Sequence, residues 1–190
     1  MQFSLFGAEA ADPLVEDLDG VLIAGGDWVR TDAGSAARLS VLVAERWRAQ
    51  ALRAEFADRG LDSDTAEAPG DLIAVRTEIT TRLSPHARRW TKGANLAPPA
   101  DLALNASGLR LWAITAGVAE EAGFLLRMSD PDGALHRVAG AQLARLGVAA
   151  VEIGSRTGAG WRVTSVKRLR RLAELIGAPP AGCGRDWPRG

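Results

Sequence analysis

The stretch LDGVLIAGGDWVR, Leu18–Arg30, decides how the chain is read. Asp12-Pro13 supplies an acceptor for the N-cap and a proline for the first helical position, so a helix starts there. Leu14, Leu18, Val21 and Leu22 would be its apolar face, and Gly25-Gly26 would stop it. Trp28 to Thr31 and Leu39 to Ala44 then read as two strands joined by the turn Asp32-Ala33-Gly34-Ser35. A second stretch, ASGLRLWAITAG, Ala106–Gly117, has the same design: Asn105 caps a helix from Ala106 to about Ala116, and Gly117 ends it. The first helix carries Gly20 and Ala24, the second Ala113 and Ala116. Small residues three or four apart let two helices approach closely, so these two are expected to pair at the centre of the molecule.

Reading outward, a helix is expected from Trp47 to Arg59, then a polar loop over 61–71. Ile73 to Leu83 alternates: Val75, Thr77, Ile79, Thr81 and Leu83 lie on one face, Arg76, Glu78, Thr80 and Arg82 on the other. This is the pattern of a half-exposed strand. Ser84-Pro85 opens another helix, which carries Arg88, Arg89 and Lys92. After Gly117 come a strand over Phe124–Met128, a helix opened by Asp130-Pro131, and a hairpin of Val148–Ile153 with Trp161–Thr164. A last helix runs over Val166–Ile176. Each half thus reads helix, strands, helix, strands, helix, which suggests a pseudo-two-fold arrangement. The expected divisions are a leader over 1–11, a first half over 12–92, a linker over 93–101, a second half over 102–177 and an irregular tail over 178–190.

On these residues the chain resembles the LAGLIDADG homing endonucleases. Leu18–Arg30 is similar to their signature helix, and Ala106–Gly117 to the second signature helix of single-chain members, after a linker containing Pro98-Pro99. The resemblance implies an α/β (α+β) fold of two αββαββα-type halves with antiparallel sheets, covering about 12–177. It also implies sheets that read double-stranded DNA. The candidate readers are Arg30, Arg38, Arg76, Arg82 and Arg162, with Lys167, Arg168 and Arg171 as phosphate anchors. Family enzymes place an acid just before the last glycine of each signature helix, where two carboxylates hold divalent cations. Here those positions are Gly25 and Ala116, so no metal, no cofactor and no enzymatic activity are expected. Asp27 could be argued as a displaced ligand, and the second half offers Glu120 and Glu121. Sporulation regulators of the WhiA type use a related domain without nuclease activity. The short interval from Gly117 to Asp130 suggests a truncated first hairpin in the second half.

The leader carries Gln2-Phe3-Ser4-Leu5-Phe6. It resembles the peptide by which bacterial polymerases and repair proteins bind the sliding clamp: an extended segment sinks Leu and Phe into an apolar pocket, and a Gln amide meets the rim. The competing reading is an N-terminal strand that packs Phe3 and Phe6 onto the core.

Composition bounds the rest. With 190 residues, 47% hydrophobic and 24% charged, the chain is an ordinary globular protein with no run long enough to span a membrane. One cysteine, Cys183, excludes an internal disulfide, and two histidines, His86 and His136, read as surface or half-buried residues. A cytoplasmic, nucleoid-associated location is expected. The 23 basic residues balance 23 acidic ones, which argues against a polycation that coats nucleic acid. Bases still cluster from Arg156 to Arg171, and acids from Glu9 to Asp32. GSRTGAG at 154–160 joins two strands rather than opening a helix, so nucleotide binding is rejected. The six tryptophans read as core, with Trp28 and Trp161 as possible exceptions on a sheet. The combined expectation is a non-catalytic accessory factor of DNA replication or repair that binds the sliding clamp. The alternatives are a sequence-specific DNA-binding regulator, a residual endonuclease and a pure protein adaptor.

Overall fold

The computed structural model describes residues 12–93, 95–129, 133–154 and 159–188. The leader 1–11, with the expected clamp-binding residues Gln2 to Phe6, lies outside the described residues, as do Asp130-Pro131 and Arg156. The first half runs α1 (Asp19–Ala24), β1 (Asp27–Arg30), β2 (Ala37–Val43), α2 (Arg46–Asp58), β3 (Ser63–Ala68), β4 (Leu72–Thr77) and α3 (Ser84–Arg89). A short ladder of β5 (Thr91–Lys92) and β6 (Asn95–Leu96) follows. The second half runs α4 (Ala106–Ala116), β7 (Gly117–Glu120), β8 (Gly123–Arg127), α5 (Ala134–Arg145), β9 (Val151–Ile153), β10 (Gly160–Val163) and α6 (Val166–Ile176). The two four-stranded antiparallel sheets have the same order, β1-β2-β4-β3 and β7-β8-β10-β9. This is the expected fold class: a mixed α/β architecture in which one topology occurs twice.

The centre is the contact of α1 with α4. A Cβ placed on Gly20 would come within 1.8 Å of the Gly108 carbonyl oxygen, so the backbones touch where neither residue has a side chain. The expected pairing of the two helices holds, but Gly108 provides the contact on α4 rather than Ala113 or Ala116. Around this crossing Asp17, Asn105 and Arg59 form a polar node in which Asp17 and Arg59 are buried. Asn105 Oδ1 caps α4 by accepting from the Gly108 N–H at 2.7 Å, and its Nδ2 donates to Asp17 Oδ1 at 2.7 Å. Arg59 donates to Asp17 Oδ2 at 2.9 Å and to Glu55 Oε2 at 2.9 Å, and Arg110 donates to Glu55 Oε1 at 2.6 Å. Each member of this chain meets an opposite charge or a capped group, as buried charges require. It ties residues of both halves together. One apolar core spans both halves and includes Leu22, Ile23, Leu39, Phe56, Trp90, Trp112, Phe124, Val163 and Leu172.

Six expectations change. The first helix does not start at Asp12-Pro13, because a 3₁₀ turn over Val15–Leu18 leads into α1. The helix opened by Ser84-Pro85 ends at Arg89, so Lys92 lies in β5. Residues 61–71 are not a loop: Ser63–Ala68 form β3, an edge strand paired with β4 throughout. The strand expected to reach Leu83 ends at Thr77. The register Ser40↔Arg76 would bring Ala37 opposite residue 79, but Ala37 pairs with Thr80. One extra residue therefore bulges out of the strand, and buried Thr77 covers the disruption by accepting from the Leu39 N–H at 3.0 Å. The first hairpin of the second half is short but complete: Gly117–Glu120 pair with Gly123–Arg127 across a tight turn. His86 and His136 are buried, at 4% and 2% exposure. His86 Nε2 lies 2.9 Å from Asp19 Oδ1, which also accepts from Trp90 Nε1 at 2.6 Å. His136 stacks on Trp161 at 4.9 Å.

The tail is irregular but packed. Trp187 Nε1 donates to the Gly177 carbonyl at 3.0 Å, the Arg110 guanidinium lies 5.5 Å from the Trp187 ring, and Cys183 is buried. Burial pushes the Cys183 thiol above its ordinary pKa, so it is a poor nucleophile.

The helix crossing makes a direct prediction. Gly20→Ala forces the two backbones apart and should cost about 1–3 kcal/mol, the usual range for overpacking. Gly154→Ala, whose Cβ would meet nothing within 4 Å, should leave the melting temperature unchanged. Thermal unfolding of the two variants checks this.

Candidate nucleic-acid interface

Strand alternation sorts the sheet residues into two faces. In the first sheet Trp28, Leu39, Val41 and Val75 point into the core. The register pairs Val29 with Arg38 and Ser40 with Arg76, which places these four on the outward face. In the second sheet Phe124 and Val163 point inward, while Val118, Leu125 and Arg162 share the outward face. Arg127, opposite Gly160, lies on that face too and is exposed. The sequence reading missed Arg127, although the alternation Phe124-Leu125-Leu126-Arg127 carries it.

The expected DNA readers are therefore divided among different surfaces. Arg38 and Arg76 stand together on the first sheet, and Arg162 stands on the second. Arg30 pairs with Ala37 and shares the face of buried Trp28, not that of Arg38. It is exposed at the end of β1. Arg82 lies in a 3₁₀ turn, not on a strand, and donates to the carbonyls of Gly60 at 2.7 Å and Arg59 at 3.2 Å. Lys167, Arg168 and Arg171 lie on α6, whose Leu172, Leu175 and Ile176 sit in the core. That helix covers the inward side of the sheets, so its basic face is separate from the outward one. Arg171 is also 3.6 Å from Glu174.

Half of the outward arginines are already paired. Arg76 Nε donates to Asp64 Oδ1 at 3.2 Å, and Arg162 Nε to Glu120 Oε2 at 2.7 Å. Val29, Leu42 and Val151 are exposed between them. Among the described residues Arg38 and Arg127 make no ion pair, so they are the outward cations available to an anionic partner. Trp28 and Trp161 are not stacking platforms: Trp28 is 9% exposed, and Trp161 packs on the α5 backbone at Gly140.

The ends of the two central helices meet the position where the resemblance implies metal-binding acids. Gly25 is in the left-handed region at φ 119°, and a Cβ there would lie 3.2 Å from Ser129 Cβ. An aspartate at this site would be strained by the backbone and crowded by Ser129. At the other end Ala116 has no ligand atom, and Arg48 occupies the helix terminus. Its guanidinium, 4% exposed, donates to the carbonyls of Ile114 at 2.7 Å and Gly117 at 2.7 Å, and stacks on Trp47 at 4.4 Å. A cation at a helix C-terminus satisfies the orphan carbonyls and the dipole. It also puts positive charge where a divalent cation would need negative ligands. The displaced candidates fit no better. Asp27 Oδ1 accepts from the Trp28 N–H at 2.8 Å, Glu120 is held by Arg162, and Glu121 sits in the exposed β7–β8 turn. Among the described residues no cluster of three His, Cys, Asp or Glu could hold a metal ion. The residues present do not fit the cations that the family uses. Among them, too, no helix is long and apolar enough to cross a membrane.

No protein-family model matches the chain, and no curated protein matches it. Solved structures do. The chain is similar to full-length DUF199/WhiA from Thermatoga maritima, with 15% identity and a TM-score of 0.61 over 86% of this chain; it spans 55% of the WhiA chain. It is also similar to the homing endonuclease I-WcaI bound to its DNA recognition sequence, with 8% identity and a TM-score of 0.64, over 86% of this chain and 81% of that one. At these identities the likeness is one of fold: two repeats of helix and antiparallel sheet closed by a central helix pair place this chain in the homing-endonuclease-like fold.

Proposed function

We propose that the chain is a non-catalytic accessory factor of DNA replication or repair that binds the sliding clamp through residues 2–6 and double-stranded DNA through the outward face of its sheets. The observation that carries the non-catalytic part is the pair of helix ends: a left-handed Gly25 against Ser129, and Ala116 beside the Arg48 cap. DNA contact is supported by the fold shared with I-WcaI, whose structure contains its recognition sequence, and by Arg38 and Arg127 on the outward face. Clamp binding is supported by the sequence Gln2-Phe3-Ser4-Leu5-Phe6 alone. With two unpaired outward arginines, intrinsic DNA affinity is modest, and tethering to a ring on DNA compensates by raising the local concentration. A second reading, a protein adaptor with no DNA contact, is favoured by the ion pairs Arg76–Asp64 and Arg162–Glu120 and by the exposed Val29, Leu42 and Val151.

Three measurements test this. The purified protein should not nick supercoiled plasmid with magnesium or manganese, and Gly25→Asp combined with Ala116→Asp should gain no activity. Nicking that vanishes in Asp27→Ala would revive a displaced-ligand nuclease. DNA binding should fall steeply with salt, because phosphate contacts release counterions. Arg38→Glu with Arg127→Glu should weaken it more than Arg76→Glu with Arg162→Glu. Equal effects, or no binding at low salt, favour the adaptor. Finally, Leu5→Ala with Phe6→Ala should abolish capture by the clamp and leave the melting temperature unchanged. If those side chains are core instead, the same variant loses stability, since burying a Phe contributes about 1.5–3 kcal/mol, and clamp behaviour does not change.

A further inference from the structure

The first sheet ends on β3, an edge strand with β4 on one side and, among the described residues, no strand on the other. The ladder shows which of its backbone groups are unused. The Glu78 N–H donates to the Asp62 carbonyl at 2.8 Å, in the register that continues as Ser63↔Thr77 and Asp64↔Arg76. Bonded and non-bonded pairs alternate in an antiparallel ladder. Asp64, Ala66 and Ala68 therefore bond to β4, while the N–H and C=O of Ser63, Thr65 and Glu67 point to the open edge. No proline or lysine blocks this edge between residues 63 and 68.

Beside the edge lies a groove of about 660 Å³ between β3 and α2. Thr65 and Glu67 pair with Val75 and Ile73, so they stand on the α2 side of the sheet. The helix wall presents Arg46, Gln50 and Arg53, all exposed, at spacings of four and three that put them on one helical face. Arg46 and Arg53 make no ion pair among the described residues. The charges are segregated: cations line the helix rim, and Glu67 with Asp71 line the strand side. A strand added to β3 would turn every second side chain toward the helix rim. The two arginines are about 10 Å apart along the helix, which corresponds to two to four residues of strand.

From this geometry we infer that the β3–α2 groove is a docking site for an extended acidic peptide. The peptide adds as a fifth strand on β3 and places carboxylates, two to four residues apart, on Arg46 and Arg53. Main-chain bonds to Ser63, Thr65 and Glu67 supply affinity, and the arginine rim selects acidic over basic strands. The arginine rim lies on the α2 side of the sheet, opposite the outward surface assigned to DNA. The inference does not depend on the clamp reading.

The test uses the full chain and an acetylated eight-residue peptide of alternating threonine and glutamate, with a threonine–lysine peptide as control. Amide exchange is followed by NMR. The acidic peptide should protect the N–H groups of Ser63, Thr65 and Glu67, and the lysine peptide should not. Thr65→Pro removes an N–H that the β4 ladder does not use, so it should abolish binding without loss of fold. Arg46→Glu with Arg53→Glu changes exposed side chains only and should weaken binding about tenfold. The inference is overturned by absent protection at millimolar peptide, by binding that survives Thr65→Pro, or by equal binding of the lysine peptide. Displacement of the acidic peptide by a short DNA duplex also overturns it, since the groove would then be a phosphate site.

Discussion

The contact between Gly20 and Gly108 is the constraint on which the rest depends. Two helices can bring their backbones this close only where both lack side chains, and the closeness sets everything outside it. It fixes the separation of the two sheets, because β1 and β7 start directly after α1 and α4. It brings the ends of both helices together, and their polar groups are satisfied locally. The Asn105–Asp17–Arg59–Glu55–Arg110 chain does this at one end, and Arg48 does it at the other. The buried ion pairs are thus a consequence of the crossing. They hold the register between the halves more than they add net stability, because desolvation offsets much of their attraction.

Much of this was legible in the sequence where a residue's local chemistry and its tertiary role coincide. Asn105 and the left-handed Gly25 act as caps by their own chemistry, and α6 runs over the residues that its apolar spacing marks. β3 was not legible, because Ser-Asp-Thr-Ala-Glu-Ala has almost no strand propensity; its pairing with β4 makes it a strand. The end of β4 was hidden for a related reason. Its alternation continues through Leu83, but the bulge before Thr80 shifts the register, and a bulge leaves no periodic trace. At the site, alternation found Arg38, Arg76 and Arg162 but not the partners of Arg76 and Arg162. Asp64 and Glu120 lie 12 and 42 residues away in sequence, and only the fold brings them close. Arg48 gave no signal at all, since nothing in Glu45-Arg46-Trp47-Arg48 shows that it reaches a helix 66 residues on.

Under the proposed function, Arg48 also bears on how such a scaffold stands without bound cations. A helix pair that gathers two carboxylates around cations is electrostatically unstable unless the cations are bound, because like charges meet in a partly buried place. With Gly25 and Ala116 there is no such repulsion to offset. With an arginine on the α4 carbonyls, the dipole that a metal site must tolerate is instead neutralised. On that reading the helix ends serve stability, and Gly25 closes α1 with a left-handed backbone that a bulky side chain adopts only under strain.

The same logic extends to the sheets. An outward face dedicated to phosphates would hold its arginines apart and unpaired, because each ion pair formed within the protein must be broken before the cation can meet DNA. Here Asp64 and Glu120 draw Arg76 and Arg162 down onto the sheet, and the exposed valines and leucine between them favour drier contacts. Two arginines, Arg38 and Arg127, one on each sheet, are left to reach outward. Under the proposed function this makes the face a weak and tunable reader whose occupancy is set by whatever holds the protein near DNA. A weak face of that kind gains most from attachment elsewhere on the molecule. The α2 side of the β3 edge, opposite the outward face, is a place where such attachment can be made.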